Sequence, residues 1–429
     1  MGVRVAIYTL GCKVNAAESD VLAATFQKRG YSLTDFHKQC DIYIINTCTV
    51  TGEADAQCRQ AIRQACSRNP QAFIAVVGCY AQAAPESVKN IPGVDLVLGN
   101  SEKFSIFGYL NSHQKYAEPV VRIDSFKHIF TAEQGMNYGT RRTRAFLKVQ
   151  DGCSYKCSYC IVPSVRGPST SRDKREILES IHNLRDAGFK EIVLTAVNLG
   201  EYRCGDSYRL IDLLKEITNI DNVPRIRLTS IEPNCITEEL VRFIADSEII
   251  CHHFHIPLQS GSDEILKQMR RRYLTCQYVQ VIEWITKYIP NAGIGADVIV
   301  GFPGESEEHF AQTKAFITQM PLTYLHVFRY SPRAGTSASA LGEHVPPLVV
   351  HERSKQLIYV ENQKKLEFLE SQADLIHEVL FETKRKDDMF EGWTRNYVRV
   401  KCAGNALDNS LKMVKITDVK GNYLIGEIL

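Results

Sequence analysis

The chain has no apolar run long enough to cross a bilayer, which takes about 20 consecutive residues, so it offers no membrane-spanning segment. It has no excess of either charge: 51 Lys and Arg against 49 Asp and Glu give a net +2 over 429 residues. Overall charge therefore does not mark it as a nucleic-acid or membrane-surface binder, and only local clustering can. The first residues, Met1-Gly2-Val3-Arg4-Val5-Ala6, lack the charged, apolar and small-residue zones of a secretory signal. Ala6 also breaks the myristoylation pattern. The expectation is a cytoplasmic protein without membrane attachment. Cysteine, by contrast, is abundant. Fourteen in an unsecreted chain argue for reduced thiols, metal clusters or core positions rather than disulfides. The length suggests two or three domains, and 44% hydrophobic residues can build a core for each.

Three of the cysteines lie together in Cys153-Ser154-Tyr155-Lys156-Cys157-Ser158-Tyr159-Cys160, directly after the strand-like run Ala145-Phe146-Leu147-Lys148-Val149. Three thiolates on one loop can hold three corners of a 4Fe–4S cluster. A cluster held by cysteine alone takes four, so one iron is left open to a small molecule. A zinc knuckle would need four ligands at tetrahedral spacing, and no Cys or His nearby closes the set. With an aromatic residue, Tyr159, before the last cysteine, the pattern resembles that of radical S-adenosylmethionine (SAM) enzymes. That resemblance implies that SAM chelates the open iron and that one electron from the cluster releases a 5′-deoxyadenosyl radical. The protein then supplies position and exclusion of water, while the cofactors carry the chemistry.

Residues 1–113 alternate apolar runs with amphipathic ones. Strands are predicted at Arg4–Leu10, Ile42–Ile45, Phe73–Val77 and Val94–Leu98, and helices at about 16–29, 53–67 and 83–88. Strands apolar on both faces and separated by helices mean a parallel α/β sheet, which binds ligands at the carboxyl ends of its strands. Cys12, Cys48 and Cys79 each follow such an end, so a second three-cysteine site is predicted there. The other cysteines, Cys40, Cys58, Cys66, Cys204, Cys235, Cys251, Cys276 and Cys402, read as ordinary core positions. Residues 114–138 read as a linker.

Residues 139–370 alternate again. Six strands, at 145–150, 191–197, 225–231, 252–258, 295–300 and 324–329, predict a partial (βα)6 barrel. Active groups belong at the carboxyl ends of barrel strands, where the cysteine loop follows the first strand. Tyr159, Asn198, Ser230, Glu232, Gln259 and Gly301 lie at such ends and are the candidate contacts for SAM, although a lone polar residue there is often a helix cap. His252, His253 and His255 alternate in strand fashion, cannot all share a face, and read as structural. Between Arg141 and Arg175 nine cations face two acids, Asp151 and Asp173. Rimming a reactive site, such a stretch suits a polyanionic substrate, with Arg141, Arg142 and Arg144 as contacts.

Residues 371–429 carry five strand-like runs with turns at Gly404-Asn405 and Gly421-Asn422, which suits a small OB-like β-barrel. Trp393, Tyr397, Arg399, Lys384, Arg385, Lys386 and Arg395 are its candidate nucleic-acid contacts, although the near balance of charge makes a packing module the competing reading.

The whole chain, in this order of three parts, resembles the methylthiotransferases. Thr9-Leu10-Gly11-Cys12-Lys13-Val14-Asn15, Asn46-Thr47-Cys48-Thr49-Val50-Thr51 and Val149-Gln150-Asp151-Gly152-Cys153 look most like the branch acting on threonylcarbamoyladenosine. The resemblance implies methylthiolation of C2 of N6-threonylcarbamoyladenosine (t6A) at position 37, next to the anticodon of tRNA. It implies two 4Fe–4S clusters, the second delivering sulfur, and SAM used both as methyl donor and as radical source. It also implies a C-terminal TRAM domain that binds the anticodon stem-loop, with an external electron donor and a sulfur source as further partners. An enzyme for isopentenyladenosine or for a ribosomal-protein aspartate is the alternative within the class, and a non-catalytic iron–sulfur or zinc protein that binds RNA is the alternative outside it. Arg333, after the sixth strand, is a candidate partner for the t6A carboxylate, because a guanidinium pairs a carboxylate bidentately.

Overall fold

In the computed structural model, residues 2–110, 114–124, 126, 130, 143–384, 389–404 and 407–429 are described, with the side chains of 383 and 384 left out. The N-terminal part is a six-stranded, all-parallel sheet. Its central strands, Ile42–Thr47 and Phe73–Gly78, are buried at every residue. Both faces are covered, as the continuous apolar runs require. Two strands were not visible in the sequence, the two-residue Ser32–Leu33 and the edge strand Val120–Arg122. The second lies in the stretch read as a linker and pairs with Leu96–Leu98. The helix expected at 83–88 is two short ones, Cys79–Ala83 and Pro85–Lys89. Pro85 disfavours helical backbone at Ala84, which sits at φ −142° and ψ 57°.

The middle part is the predicted open half-barrel. Its first three strands, Arg144–Lys148, Glu191–Thr195 and Arg225–Leu228, form one parallel sheet. The last three, His253–His255, Gly293–Val300 and Tyr324–Arg329, form another. The parallel bridge Ile226–Ile250 and the bond from Ile231 N to His255 O (3.0 Å) join them. A continuous apolar core fills the space between strands and outer helices. Among the described residues, no helix is long and apolar enough to cross a membrane.

The C-terminal strands, Ile376–Lys384, Phe390–Thr394, Arg399–Cys402, Ser410–Lys420 and Tyr423–Ile428, close into a five-stranded barrel. Its turn at 394–397 plugs the half-barrel at the amino ends of the strands. Arg225 donates to Trp393 O (2.9 Å), and Arg227 donates to Thr394 O and Arg395 O (both 3.0 Å). Both arginines also bind the buried Glu191, at 2.7 and 2.8 Å. Burial alone would raise the Glu191 carboxyl, but Arg227 and Arg225 outweigh it and hold it down to about 2. A carboxyl lowered on folding contributes stability that is whole above its unfolded pKa, about 4.3, and is lost as pH falls through its folded value. Thermal melts should therefore fall steeply below about pH 4, and Glu191→Gln should flatten that acid limb while lowering the melt at pH 7.

Candidate functional site

The N-terminal cysteines meet because three neighbouring strands end together. Thr9 is level with Asn46, and Thr47 with Gly78, so Cys12, Cys48 and Cys79 leave the sheet at one edge. Gly11 is necessary to this approach. It sits at φ +104°, and a Cβ there would lie 2.7 Å from the Cβ of Cys48. Asn15 fixes the loop by donating to Leu10 O (2.7 Å) and Thr47 O (2.9 Å). Burial pushes the Cys48 thiol up to about 12, and the neighbouring Cys79 and Cys12 add to the rise. Burial raises Cys12 as well, opposed by Arg166. Such thiols become ligands when a metal replaces the proton. Cys58, by contrast, is a core thiol donating to Cys48 O at 3.4 Å.

The second set is shaped by Gln150. Its Oε1 accepts from Val197 N and Asn198 N (both 3.1 Å), and its Nε2 donates to Gly152 O (2.7 Å). The cysteine loop is thereby tied to the end of the second barrel strand. Cys153 N donates to Gly167 O and Cys160 N to Cys157 O, both at 3.1 Å. Arg271 donates to Cys157 Sγ (3.1 Å) and Tyr159 OH (3.3 Å), and pairs with Glu232. Burial pushes Cys160 up to about 12 and raises Cys153 further. Three thiols on one loop, with N–H donors and a guanidinium around the sulfurs, suit an anionic cluster.

The two sets share a border. Cys79 packs on Ile161 and Val165, which follow Cys160, and Asn100 Nδ2 spans from Cys79 Sγ (3.5 Å) to Val165 O (2.8 Å). Beside them lies a solvent-open recess. Val50 and Thr51, just after Cys48, form one wall, and Tyr159, Cys160, Gln259 and Asp297 form the other.

Two of the six candidate SAM contacts border this recess. Tyr159 and Gln259 line it. Asn198 is 4% exposed, and both its amide atoms lack a partner among the described residues. Buried polar groups are almost always paired, so this side chain points to a ligand. Glu232 is held to Arg271; burial raises its carboxyl, opposed by that guanidinium. Ser230 uses its carbonyl to accept from Leu199 N. Gly301 turns at φ +77° with its α-carbon against Val350, so it serves helix packing there.

The candidate substrate cations fare differently. Arg141, Arg142 and Arg385, and the side chain of Lys384, lie outside the described residues. Arg144 stands at the amino end of its strand, away from the cysteine loop, and pairs with Glu382 (3.0 Å). Arg395 donates to Ile250 O (3.0 Å) and pairs with Glu378 (3.5 Å). Both hold the C-terminal barrel to the half-barrel. Trp393 and Tyr397 stack on each other, 4.7 Å between centroids, within the same joint. Arg333 is engaged by Asp55 (2.9 Å) and Thr49 O (3.1 Å) and so bridges the middle and N-terminal parts. The reading of residues 141–175 as a cationic rim is corrected too. Lys148 and Arg166 are buried against Glu18 and Asp151. Arg172 pairs with Glu176 and Lys174 with Glu216. Glu18 and Glu216 come from distant segments, which a local charge count cannot see. Lys156 and Arg175 remain exposed.

Several residues here escaped the sequence reading. Glu18 and Lys103 carry no motif of their own, and only the fold brings them to the cysteines; Asn15 lies in the motif around Cys12, and Arg271 in the basic run Arg270-Arg271-Arg272 expected at the cluster mouth. His255, Asp297 and His326 lie on three successive strands and meet within 4.8 Å. Asp297 is level with His326, and His255 with Gly295, two residues earlier on the same face.

Comparison with known proteins places these sites in context. A model described as "Uncharacterized protein family UPF0004" matches residues 4–99, and one for the Radical SAM superfamily matches 147–317. The threonylcarbamoyladenosine tRNA methylthiotransferase MtaB of Bacillus subtilis (strain 168) is 39% identical, covering 99% of this chain and 95% of its own. MtaB of Aquifex aeolicus is 38% identical, covering 94% and 97%. The tRNA-2-methylthio-N(6)-dimethylallyladenosine synthase of Clostridium tetani is 34% identical, covering 98% and 95%. Among solved structures, the radical SAM methyltransferase TsrM of Kitasatospora setae shares the fold. Its TM-score is 0.55 at 14% identity, over 84% of this chain and 91% of that one. The Radical SAM match implies SAM and a 4Fe–4S cluster.

Proposed function

This chain belongs to the radical SAM methylthiotransferases, and from that membership we propose that it methylthiolates C2 of t6A at position 37 of tRNA. The observation that carries the choice of base is the order of similarity. Relatives named for threonylcarbamoyladenosine span 34% to 39% identity, the two highest at 39% and 38%, against 31% to 34% for those named for dimethylallyladenosine.

In this reading Cys153, Cys157 and Cys160 hold one 4Fe–4S cluster and Cys12, Cys48 and Cys79 hold a second. When bound, the clusters and SAM supply a radical for a C–H bond that is neither acidic nor open to nucleophiles, together with the methylated sulfur. The chain's own work is to place these groups side by side. Asn198, Gln259 and Tyr159 orient SAM, and Arg271 fixes Glu232 and the Cys157 thiolate. Val50 and Thr51 cover the recess and limit water. A base in a loop can be splayed from its neighbours and drawn into such a pocket. The C-terminal barrel acts as a TRAM domain for tRNA, and the functional divisions are the N-terminal part, which takes in its edge strand Val120–Arg122, 139–370 and 371–429. An electron donor and a sulfur source come from outside, in the cytoplasm.

The test uses reconstituted enzyme with SAM, a sulfur source and reductant. It is offered anticodon stem-loops carrying t6A, isopentenyladenosine or plain adenosine, and products are read by nucleoside mass spectrometry. Methylthiolation of the t6A loop with little on the others is expected. Equal rates on the isopentenyl loop would overturn the choice of base and leave the radical chemistry standing.

A further inference from the structure

The interior face of the last three barrel strands carries a set of donors that the two cysteine sites do not use. His255 Nε2 lies 3.0 Å from Asp297 Oδ1, and His326 Nδ1 lies 3.1 Å from the same oxygen. The register explains the meeting. Asp297 is directly level with His326, and His255 is level with Gly295, two residues earlier on the same face. Gly295 has no side chain to fill the gap, and the Tyr324 ring lies over its α-carbon. Tyr324 OH reaches His255 Nδ1 (3.1 Å) and His253 Nε2 (2.8 Å).

We propose that His255, Asp297 and His326 form a binding site for one divalent transition-metal ion, separate from the cysteine clusters. Two cis ligands of an octahedral set, each about 2.1 Å from the ion, stand about 3.0 Å apart, the spacing of each histidine nitrogen from Asp297 Oδ1 here. A carboxylate oxygen shared by two imidazoles is also the arrangement such a set adopts when protons stand where the cation would. Imidazole and carboxylate donors select zinc, iron(II) or manganese(II) over soft, thiolate-seeking ions. Tyr324 supplies the outer partner that metal-bound histidines require, fixing the ring so that Nε2 faces the ion. Three protein ligands leave coordination positions free for an oxygen ligand, such as water or a carboxylate. Asp297 itself lines the recess beside Cys160 and Gln259, so those positions open toward the reacting groups.

The test is a manganese(II) titration of cluster-loaded, oxidised enzyme, in which free Mn2+ is counted by room-temperature EPR and iron is measured separately. Wild type should show one saturable site. Asp297→Asn should show none, and Tyr324→Phe should bind about tenfold more weakly. His326 is more than half exposed, so His326→Gln is the variant least exposed to misfolding; it should weaken binding at least as much. A surface control, His182→Gln, should bind as wild type does. No saturable site in wild type, or equal affinity in wild type and His326→Gln, would overturn the proposal. Because no substrate turnover enters the readout, either result leaves the choice of tRNA base untouched.

Discussion

Replacing Cys153, Cys157 and Cys160 with alanine is expected to abolish reductive SAM cleavage entirely and to remove about four of about eight irons. Replacing Cys12, Cys48 and Cys79 is expected to remove a similar share of iron, retain SAM cleavage and abolish methylthiolated product. The asymmetry follows from geometry. The first set lies on the loop after the first barrel strand, where Tyr159 and Gln259 border the recess. The second belongs to a different sheet, and it borders that region through Cys79 against Ile161 and Val165 and through Val50 and Thr51. Loss of three thiols at the edge of the N-terminal sheet therefore leaves the Gln150 and Arg271 anchors of the barrel loop in place. Iron analysis, 5′-deoxyadenosine release and nucleoside mass spectrometry separate the outcomes. Multiple-turnover product from the N-terminal triple variant would sink the division of labour. Bound zinc in place of iron would remove the radical reading altogether.

What the sequence made legible was periodicity and spacing. Apolar runs of five or six residues located most of the strands, and a cysteine at each of three strand ends located one site. Pairings that close over long distances were not legible. Ser32–Leu33 and Val120–Arg122 are too short for any pattern to show. Arg144, Lys148, Arg166 and Lys174 read as free because Glu382, Glu18 and Glu216 are remote in the chain. Trp393, Tyr397 and Arg395 looked like nucleic-acid contacts because aromatic and basic residues serve domain joints equally well; here Arg144 lies over the Trp393 ring and Arg227 over that of Tyr397. Reading each histidine against its own strand also missed His255 with His326, which become neighbours only across strands.

Glu18→Gln is expected to destabilise the chain by about 3–5 kcal/mol at pH 7, the cost of breaking a buried pair and leaving its cations uncompensated. Glu18 sits in the helix Lys13–Lys28 that follows Cys12, yet it binds three cations from elsewhere. Lys103 pairs with Glu18 Oε2; Lys148 and Arg166 lie 3.0 Å from Oε1. Arg166 also reaches Asp151 (2.8 Å) and Asn15 Oδ1 (2.6 Å). Three cations and two carboxylates are thus buried between the helix of one cysteine set and the loop of the other, so the network fixes how the two sets face each other. Removing the Glu18 charge leaves Asp151 alone against three cations. Burial by itself would raise the Glu18 carboxyl; Arg166, Lys103 and Lys148 together hold it well below its ordinary value. Its contribution is therefore whole above the ordinary carboxylate range and is lost as pH falls through the lowered folded value. Denaturant midpoints of the variant should consequently approach those of wild type as pH is lowered below about 4. Lys103 is buried, and burial lowers its ammonium despite Glu18, so it is the cation most harmed by the loss. Glu18→Gln with Lys103→Met should recover part of the stability, a coupling of roughly 0.5–3 kcal/mol. A single variant less than 1 kcal/mol below wild type, with no recovery in the double, would mean that water reaches these charges and that packing alone sets the approach of the two cysteine sites.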